Sequence, residues 1–325
     1  MSEREILDWM ARTDPALRWQ VERDLVGAPE EVWLATRARV PGEGMAARLL
    51  ARQDPEGTWA QGAFFPGEGW DPTGSTGSDD GQPWVATTWS LTSLREWGVD
   101  AAVLGDTADR IERAVRWEYD DLPYWDGEVD ACINAWTLSN GIWLGRDMSA
   151  LAQWFVDHQM EEGGWNCEWV EGSTRASVES TLNALFGILD AEAQTGGTPA
   201  LREARERAEE YLLERRLLHT LTDGRPVVPY VAVLMSPGRA AYTVIRALDY
   251  FRAAHEHDGR APDARLGEAI ELLRGKRRDD GTWAVDHRLP GRVWFHADVE
   301  QGHPSPWLTF TALRILRWWD GADGR

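Results

Sequence analysis

The stretch QDPEGTW (53–59) recurs as QMEEGGW (159–165) and RRDDGTW (277–283), and this recurrence decides the fold. Each copy has Gln or Arg first, Gly fifth and Trp seventh, and each follows a run with helical periodicity. Half the spacing between copies is about 55 residues, the length of a helical hairpin with its connections. Weaker copies at 117–127 and 217–230 lie between them. The chain is therefore predicted to repeat a helix–turn–helix unit.

A second, more apolar run follows each turn, as is typical of a helix buried on both sides. Strand patterns of alternating Val, Ile and Thr are scarce. One hairpin cannot bury so much apolar surface alone, so hairpins are expected to stack. We predict an all-α fold, an (α/α)6 toroid of about six hairpins around a central cavity, as one domain over 1–325. The predicted inner helices are 15–27, 84–98, 131–145, 176–190, 238–251 and 305–319.

Composition excludes several classes of function. The net charge of −20 argues against nucleic acid or an anionic membrane surface as partner. The single lysine, Lys276, lies in a charged run, which disfavours pyridoxal phosphate. Neither a P-loop nor a G-x-G-x-x-G motif is present, and nothing indicates a nucleotide or flavin. The sequence has no long apolar run and no signal-peptide pattern, so we expect a cytoplasmic protein without a transmembrane segment.

Twenty tryptophans are unusual and favour either a Trp-based repeat or an aromatic cavity. The repeat tryptophans at 59, 165 and 283 are interpreted as structural. A second group lies on the predicted inner helices, where tryptophan faces stabilise a cation through its attraction to the ring. The Gly-rich segment 60–82 is predicted to be a cap or lid over the cavity. The tryptophans predicted to bind substrate are Trp84, Trp89, Trp136 and Trp307.

The three repeats resemble the QW repeat of squalene and terpene cyclases, an α/α-toroid family that includes the protein prenyltransferase β subunits. The repeat periodicity that carries this resemblance extends over essentially the full chain, and the resemblance implies the toroid fold. It also implies one of two chemistries, protonation by a D-x-D-D acid or a zinc-assisted step. This sequence has no D-x-D-D, and its nearest approach is the run Asp126, Glu128 and Asp130. No D-D-x-x-D magnesium motif is present either.

Candidate catalytic residues follow from that comparison. A protonated member of the group Asp126, Glu128 and Asp130 is the candidate acid, with helix capping as the structural alternative. Tyr242 opens another predicted inner helix and completes the candidate catalytic set. Two arginines that precede or open inner helices, Arg175 and Arg239, are candidates to hold an anionic group of the substrate. Ion pairs with the many acidic residues are the alternative for both.

Zinc is the candidate cofactor. The prenyltransferase resemblance implies a metal held by Asp-x-Cys at one inner helix and by His at the next. Here Asp130 and Cys132 match the first motif, whereas Glu179 stands where the histidine is expected. The other cysteine, Cys167, lies just before the same helix. Two thiolates with one or two carboxylates form a sensible tetrahedral zinc site, and two buried thiols without a metal are the alternative.

Together these features favour an enzyme, a cyclase, isomerase or transferase. It would act on a small hydrophobic molecule, isoprenoid or polyketide-like, by acid-catalysed cyclisation or rearrangement or by a zinc-assisted step. The alternative is a non-catalytic toroid that binds a hydrophobic ligand or a protein partner. A protein partner or a homo-oligomer is compatible with either reading, and the acidic charge would suit a basic partner.

Overall fold

The computed structural model describes residues 1–322, and helices dominate it. Its two strands, β1 (Thr76–Gly77) and β2 (Arg292–Val293), pair antiparallel over two residues each. The all-α prediction is confirmed. The helices are α1 (Glu3–Ala11), α2 (Pro15–Val21), α3 (Glu30–Arg39), α4 (Gly44–Leu50), α5 (Thr87–Glu96), α6 (Thr107–Ala114), α7 (Ala131–Trp143), α8 (Ser149–Asp157), α9 (Val178–Thr195), α10 (Pro199–Glu214), α11 (Val244–Asp258), α12 (Gly267–Gly275) and α13 (Pro306–Ala322).

The repeat sequence forms a turn that ties one helix to the next. Gln53 donates from Nε2 to the carbonyl of Gly57 (3.0 Å), whose φ of 86° is a conformation that favours glycine. Trp59 is fully buried and donates from its indole nitrogen to the carbonyl of Leu49 in α4 (2.8 Å). Its backbone N–H donates to Oγ1 of Thr87, the first residue of α5 (3.1 Å). The tryptophan therefore joins the end of α4 to the start of α5.

The other two copies repeat this arrangement. Trp165 and Trp283 are also buried, and their backbone N–H groups donate to Oγ1 of Thr181 in α9 (3.0 Å) and of Thr309 in α13 (3.1 Å). Their indoles donate to carbonyls at the ends of α8 and α12 (both 2.9 Å). In the third copy, Arg277 stands in place of the glutamine and donates to the carbonyl of Gly281, the equivalent glycine (3.1 Å). A buried N–H needs a partner, which explains why a threonine recurs at each helix start.

The predicted inner helices correspond to α5, α7, α9, α11, α13 and α2, which continues into a π-helical turn at Glu22–Val26. Five of them begin within a few residues of the predicted start. The exception is α11, which begins at Val244 instead of at 238. Arg239 has a φ of 48°, and the N–H of Ala241 donates to the carbonyl of Gly238 in a turn. A left-handed residue cannot continue a right-handed helix, so the helix starts later.

These helices contact one another in sequence order. α5 packs on α7, α7 on α9, α9 on α11, and α11 on α13. α7 and α9 pack closely, because a Cβ at Gly187 would lie 2.8 Å from Cα of Ala135. α13 contacts the π-helical turn that follows α2. Trp19 in α2 then donates to the carbonyl of Trp97 (2.9 Å), just after α5. The circuit of contacts therefore returns to its starting helix.

The remaining helices lie beside this circuit. α4 contacts α5, α8 contacts α7 and α9, α10 contacts α9, and α12 contacts α11. One connected cluster of buried apolar side chains runs from Ile6 in α1 to Leu316 in α13. Within residues 1–322, no helix has the length and apolarity that a bilayer-spanning segment requires. The described elements thus share one continuous core.

The segment 60–82, predicted as a lid, is anchored to the loop that contains β2. Its strand β1 places Thr76 opposite Val293. The hydroxyl of Ser78 accepts from the N–H of Gly291 (3.2 Å), and Arg292 donates to Asp79 (2.5 Å). Such contacts fix the segment over the loop 290–297, whose aromatic residues enter the site described next. Whether the segment opens as a lid remains a prediction.

Candidate active site

A cavity of about 450 Å³ lies inside the circuit of helices. Its wall is formed by α5, α7, α9, α11 and α13, by residues 235–239 before α11, and by residues 293–297 from the loop after β2. This volume is in the range of small-molecule sites. Five of the predicted substrate-binding residues line it: Trp84, Trp89, Trp136, Arg239 and Trp307.

One part of the cavity wall is aromatic. The ring of Trp89 lies 4.6 Å from those of both Trp84 and Trp136, measured between centroids. Phe64, from the predicted lid segment, packs 4.9 Å from the same ring. Trp84 is fixed because its indole donates to the carbonyl of Pro290 (2.8 Å). Trp89 differs, since it is buried and its indole nitrogen has no hydrogen-bond partner in the described part of the chain.

Arg239 lies against this aromatic wall. Its guanidinium carbon is 5.0 Å from the ring centroid of Trp84 and 6.0 Å from that of Trp89. Within residues 1–322, the guanidinium makes neither a hydrogen bond nor an ion pair, although it lines the cavity. Burial lowers the pKa of Arg239 to about 10, partly opposed by the charge of Glu96. Arg239 is partly buried, and a cation that has lost part of its hydration without gaining a partner carries a desolvation cost that an anionic ligand would offset.

A second arginine of the wall, Arg246 in α11, is held by the protein itself. It donates to the carbonyl of Ala241 (2.7 Å) and to Oδ1 of Asn183 in α9 (3.0 Å). Its guanidinium carbon lies 5.2 Å from the ring of Phe186. Burial lowers the pKa of Arg246. Arg246 therefore has protein partners for its N–H groups, whereas those of Arg239 have none within residues 1–322.

The part of the wall formed by the later turns of the helices is charged. Arg95 in α5 pairs with Asp190 in α9 (2.5 Å). Asp249 in α11 pairs with Arg252 (2.9 Å) and with Arg314 in α13. Burial alone would raise the pKa of Asp249, but the two arginines hold it below its ordinary value. These groups neutralise one another in pairs, so they are positioned to shape the cavity rather than to react.

Glu96, at the end of α5, is the exception among these charged groups. Its carboxylate lines the cavity and forms neither an ion pair nor a hydrogen bond with residues 1–322. The side chain of Glu96 is exposed to the space of the cavity, yet the surrounding protein displaces part of its hydration and so raises its pKa, while Arg95, Arg246 and Arg239 oppose the rise. A carboxyl group with a raised pKa keeps its proton more readily and suits the role of a proton donor.

The predicted catalytic acids do not lie on this cavity. Asp126 is exposed at the end of a 3-10 turn, Tyr124–Asp126. The carboxylate of Glu128 accepts from the N–H of Asp130 (2.6 Å). The backbone N–H of Glu128 donates to Oδ1 of Asn134, and Nδ2 of Asn134 donates to the carbonyl of Glu128 (2.6 Å each). Burial raises the pKa of Glu128 and of Asp130. This run therefore precedes α7 and lies outside the described cavity wall, and Asp130 is the N-cap residue of α7 although its side chain makes no capping hydrogen bond.

Tyr242 and Arg175 also lie away from the cavity. Tyr242 is fully buried, and its hydroxyl donates to the carbonyl of Leu217 (3.0 Å). Burial raises its pKa further above the ordinary value. Arg175 is largely exposed, with 75% of its side chain accessible, and pairs with Glu162 (3.3 Å). The structure gives Tyr242 a packing role and Arg175 a surface ion pair.

The predicted zinc ligands come together only in part. The sulfur atoms of Cys132 and Cys167 lie 3.4 Å apart and share a hydrogen bond, which raises the pKa of Cys132 and lowers that of Cys167. Glu179 instead accepts from the hydroxyl of Tyr230 (3.1 Å). Within residues 1–322, the two sulfurs and the carboxylate of Asp130 do not converge closely enough to form a three-ligand cluster. The geometry brings the cysteines together but does not assemble the zinc site.

A different group of potential ligands, Glu192, His257 and Asp258, does converge. Its carboxylates already have a cationic partner, because the buried Arg205 pairs with Glu192 (2.9 Å) and with Asp258 (2.9 Å). Arg205 also pairs with Glu209 (2.7 Å). This network joins α9, α10 and the end of α11, so we interpret it as structural.

A second pocket, of about 640 Å³, shares Trp84 and Met235 with the cavity. It is lined by Glu179 with Tyr230 and also by Lys276, which pairs with Asp286 (2.6 Å). Burial and the charge of Glu179 raise the pKa of Tyr230 to about 12. The shared residues place Trp84 between this outer pocket and the inner cavity.

Several wall residues were missed by sequence reasoning, and only some had a signal. Glu96 lies seven residues after Trp89, two turns along the same face of α5, so helical periodicity could have placed it on the cavity. Trp294 and Phe295 come from a loop, where no periodicity applies. A comparison with protein-family models and with curated protein sequences gives no match for this chain.

Proposed function

We propose that the chain is an (α/α)6 toroid enzyme that acts on a small, mostly apolar molecule bearing an anionic group. Six helix pairs support the toroid: α1/α2, α4/α5, α6/α7, α8/α9, α10/α11 and α12/α13. The second members form the circuit of contacts that closes through Trp19, and the first members lie outside it. Hence α3 is an addition between the first two pairs.

The observation that carries the proposal is the unpaired guanidinium of Arg239 among tryptophan rings on the cavity wall. The rings offer apolar surface to the body of a ligand, whereas the guanidinium offers paired N–H donors to a carboxylate or phosphate. The unpaired indole N–H of Trp89 is a further donor nearby. An apolar anion would satisfy the rings and the guanidinium, whereas the indole nitrogen of Trp89 is buried.

Glu96 is the proposed proton donor, in place of the group Asp126, Glu128 and Asp130. It is the unpaired carboxyl group on the described wall, and its raised pKa favours the protonated form. A carboxylic acid of this kind protonates an oxygen of the substrate, which initiates a cyclisation or rearrangement. The tryptophan faces would then stabilise the positive charge that develops.

Binding is tested first, with 1-naphthoate, geranate and their uncharged methyl esters as probes in calorimetry. The acids are expected to bind more tightly than the esters. Arg239→Gln should weaken acid binding about tenfold or more and leave ester binding unchanged, because only the charged pair is lost. Arg175→Gln, at an exposed arginine, is the matched control and should change neither. Equal affinity of the wild type for acids and esters would refute the anionic group.

Turnover is tested with whichever probe binds, by mass spectrometry of the products. Glu96→Gln should abolish product formation while the dissociation constant changes less than the rate, because the amide keeps the shape but cannot donate a proton in the same way. A wild-type protein that binds the probes and converts none of a wider panel would support the non-catalytic alternative.

A further inference from the structure

The two cysteines form an isolated dithiol at the junction of two neighbouring helix pairs. Cys132 is the second residue of α7, and Cys167 begins a 3-10 turn, Cys167–Glu171, in the loop before α9. Their sulfur atoms lie 3.4 Å apart, although 35 residues separate them in the chain. Neither sulfur lies on the described wall of the inner cavity or of the outer pocket. The chemistry proposed for the cavity therefore leaves them unused.

The surroundings of the pair favour bond formation between the sulfurs. A disulfide has a sulfur–sulfur distance of about 2.05 Å, so the atoms must approach by little more than 1 Å. Cys167 lies in a loop, where the backbone can supply this movement without breaking an α-helix. Its backbone N–H donates to the hydroxyl of Ser180 (3.2 Å), which also contacts its sulfur (3.4 Å). These contacts already hold Cys167 facing Cys132.

Both thiols are partly accessible, so a small reagent can reach them. The pair also touches the cavity wall through one residue. Nδ2 of Asn183 lies 3.5 Å from the sulfur of Cys132, and its Oδ1 accepts from Arg246, which lines the cavity. A change at the sulfurs is thereby connected to the position of Arg246.

We propose that Cys132 and Cys167 form a reversible disulfide by exchange with a low-molecular-weight disulfide such as oxidised glutathione. One cysteine, as its thiolate, attacks the reagent and forms a mixed disulfide, releasing the first small thiolate. The second cysteine loses its proton, attacks the protein sulfur of the mixed disulfide and releases the other small thiolate. The protein gives up two electrons and two protons in all, and the reagent is reduced to two thiols.

The experiment incubates the full chain with oxidised glutathione, alkylates the remaining thiols and measures the intact mass and the linked peptides. The expected product is a 132–167 cross-linked peptide with no glutathione attached and both free thiols lost. Dithiothreitol should restore two alkylatable thiols. The oxidised protein should unfold at a higher temperature than the reduced one, because the cross-link restricts the unfolded chain.

Two single variants separate the steps. Cys132→Ser and Cys167→Ser should each stop at a stable mixed disulfide with glutathione, since the resolving thiol is absent. A wild-type protein that carries one glutathione on each cysteine, or that keeps both thiols free while unfolded protein reacts, would overturn the proposal. Tightly bound zinc that is released on cysteine alkylation would overturn it as well. None of these outcomes depends on the ligand proposed for the cavity.

Discussion

At the scale of a single residue, the carboxyl group of Glu96 should make the free energy of unfolding depend on pH. Its pKa in the folded chain is raised, so the folded state binds the proton more tightly than the unfolded state. Its contribution to the free energy of unfolding is therefore full below the ordinary pKa of glutamate and falls as the pH rises through the folded value. Glu96→Gln should remove this dependence and increase stability at neutral pH relative to the wild type. Urea unfolding at several pH values measures the free energy of unfolding of the wild type and of Glu96→Gln. Glu203→Gln, on the exposed face of α10, is the control. An unchanged difference between wild type and Glu96→Gln across that range would contradict the raised pKa of this carboxyl group.

At the scale of the elements, the contact between α7 and α9 depends on a glycine. A Cβ at Gly187 would lie 2.8 Å from both Cα and the carbonyl oxygen of Ala135, and a helix backbone cannot yield by itself. Gly187→Leu should therefore destabilise the protein by about 3 kcal/mol or more, because the helices must separate. Ala193→Leu places the same side chain on an exposed position of α9 and should change stability by less than about 0.5 kcal/mol. Chemical denaturation of both variants decides it, and equal stabilities would show that α7 and α9 are not packed this closely.

At the scale of the whole molecule, the circuit of helices closes where α2 meets the end of α5. Trp19 donates to the carbonyl of Trp97, and a Cβ at Gly98 would lie 2.6 Å from the same indole. Trp19→Phe keeps an aromatic ring but leaves a carbonyl without its donor, so we expect a loss of about 1–3 kcal/mol. Trp33→Phe is the control, since this neighbouring indole makes no hydrogen bond with residues 1–322. Unfolding followed by fluorescence and by circular dichroism should give coincident transitions if closure makes the circuit one cooperative unit. A variant as stable as its control would mean that the closing hydrogen bond contributes nothing.

Sequence periodicity determined the helical class and most of the inner helices, because a buried helix must repeat its apolar residues at the helical period whatever its neighbours are. It also identified the repeat turns, because the glutamine or arginine and the glycine carbonyl to which it donates lie within the same seven residues as the tryptophan. The start of α11 was missed, since Arg239 adopts a left-handed conformation that no local pattern announces. Tertiary structure alone decided which side chains face the cavity. In the sequence Asp130 and Glu179 resemble a pair of metal ligands, yet Glu179 accepts from Tyr230 of a distant segment, and Asp130 does not converge with the two sulfurs. Glu96 became the candidate acid for the same reason: the raised pKa of a carboxyl group depends on what surrounds it in space, and residues far apart in the chain supply those surroundings.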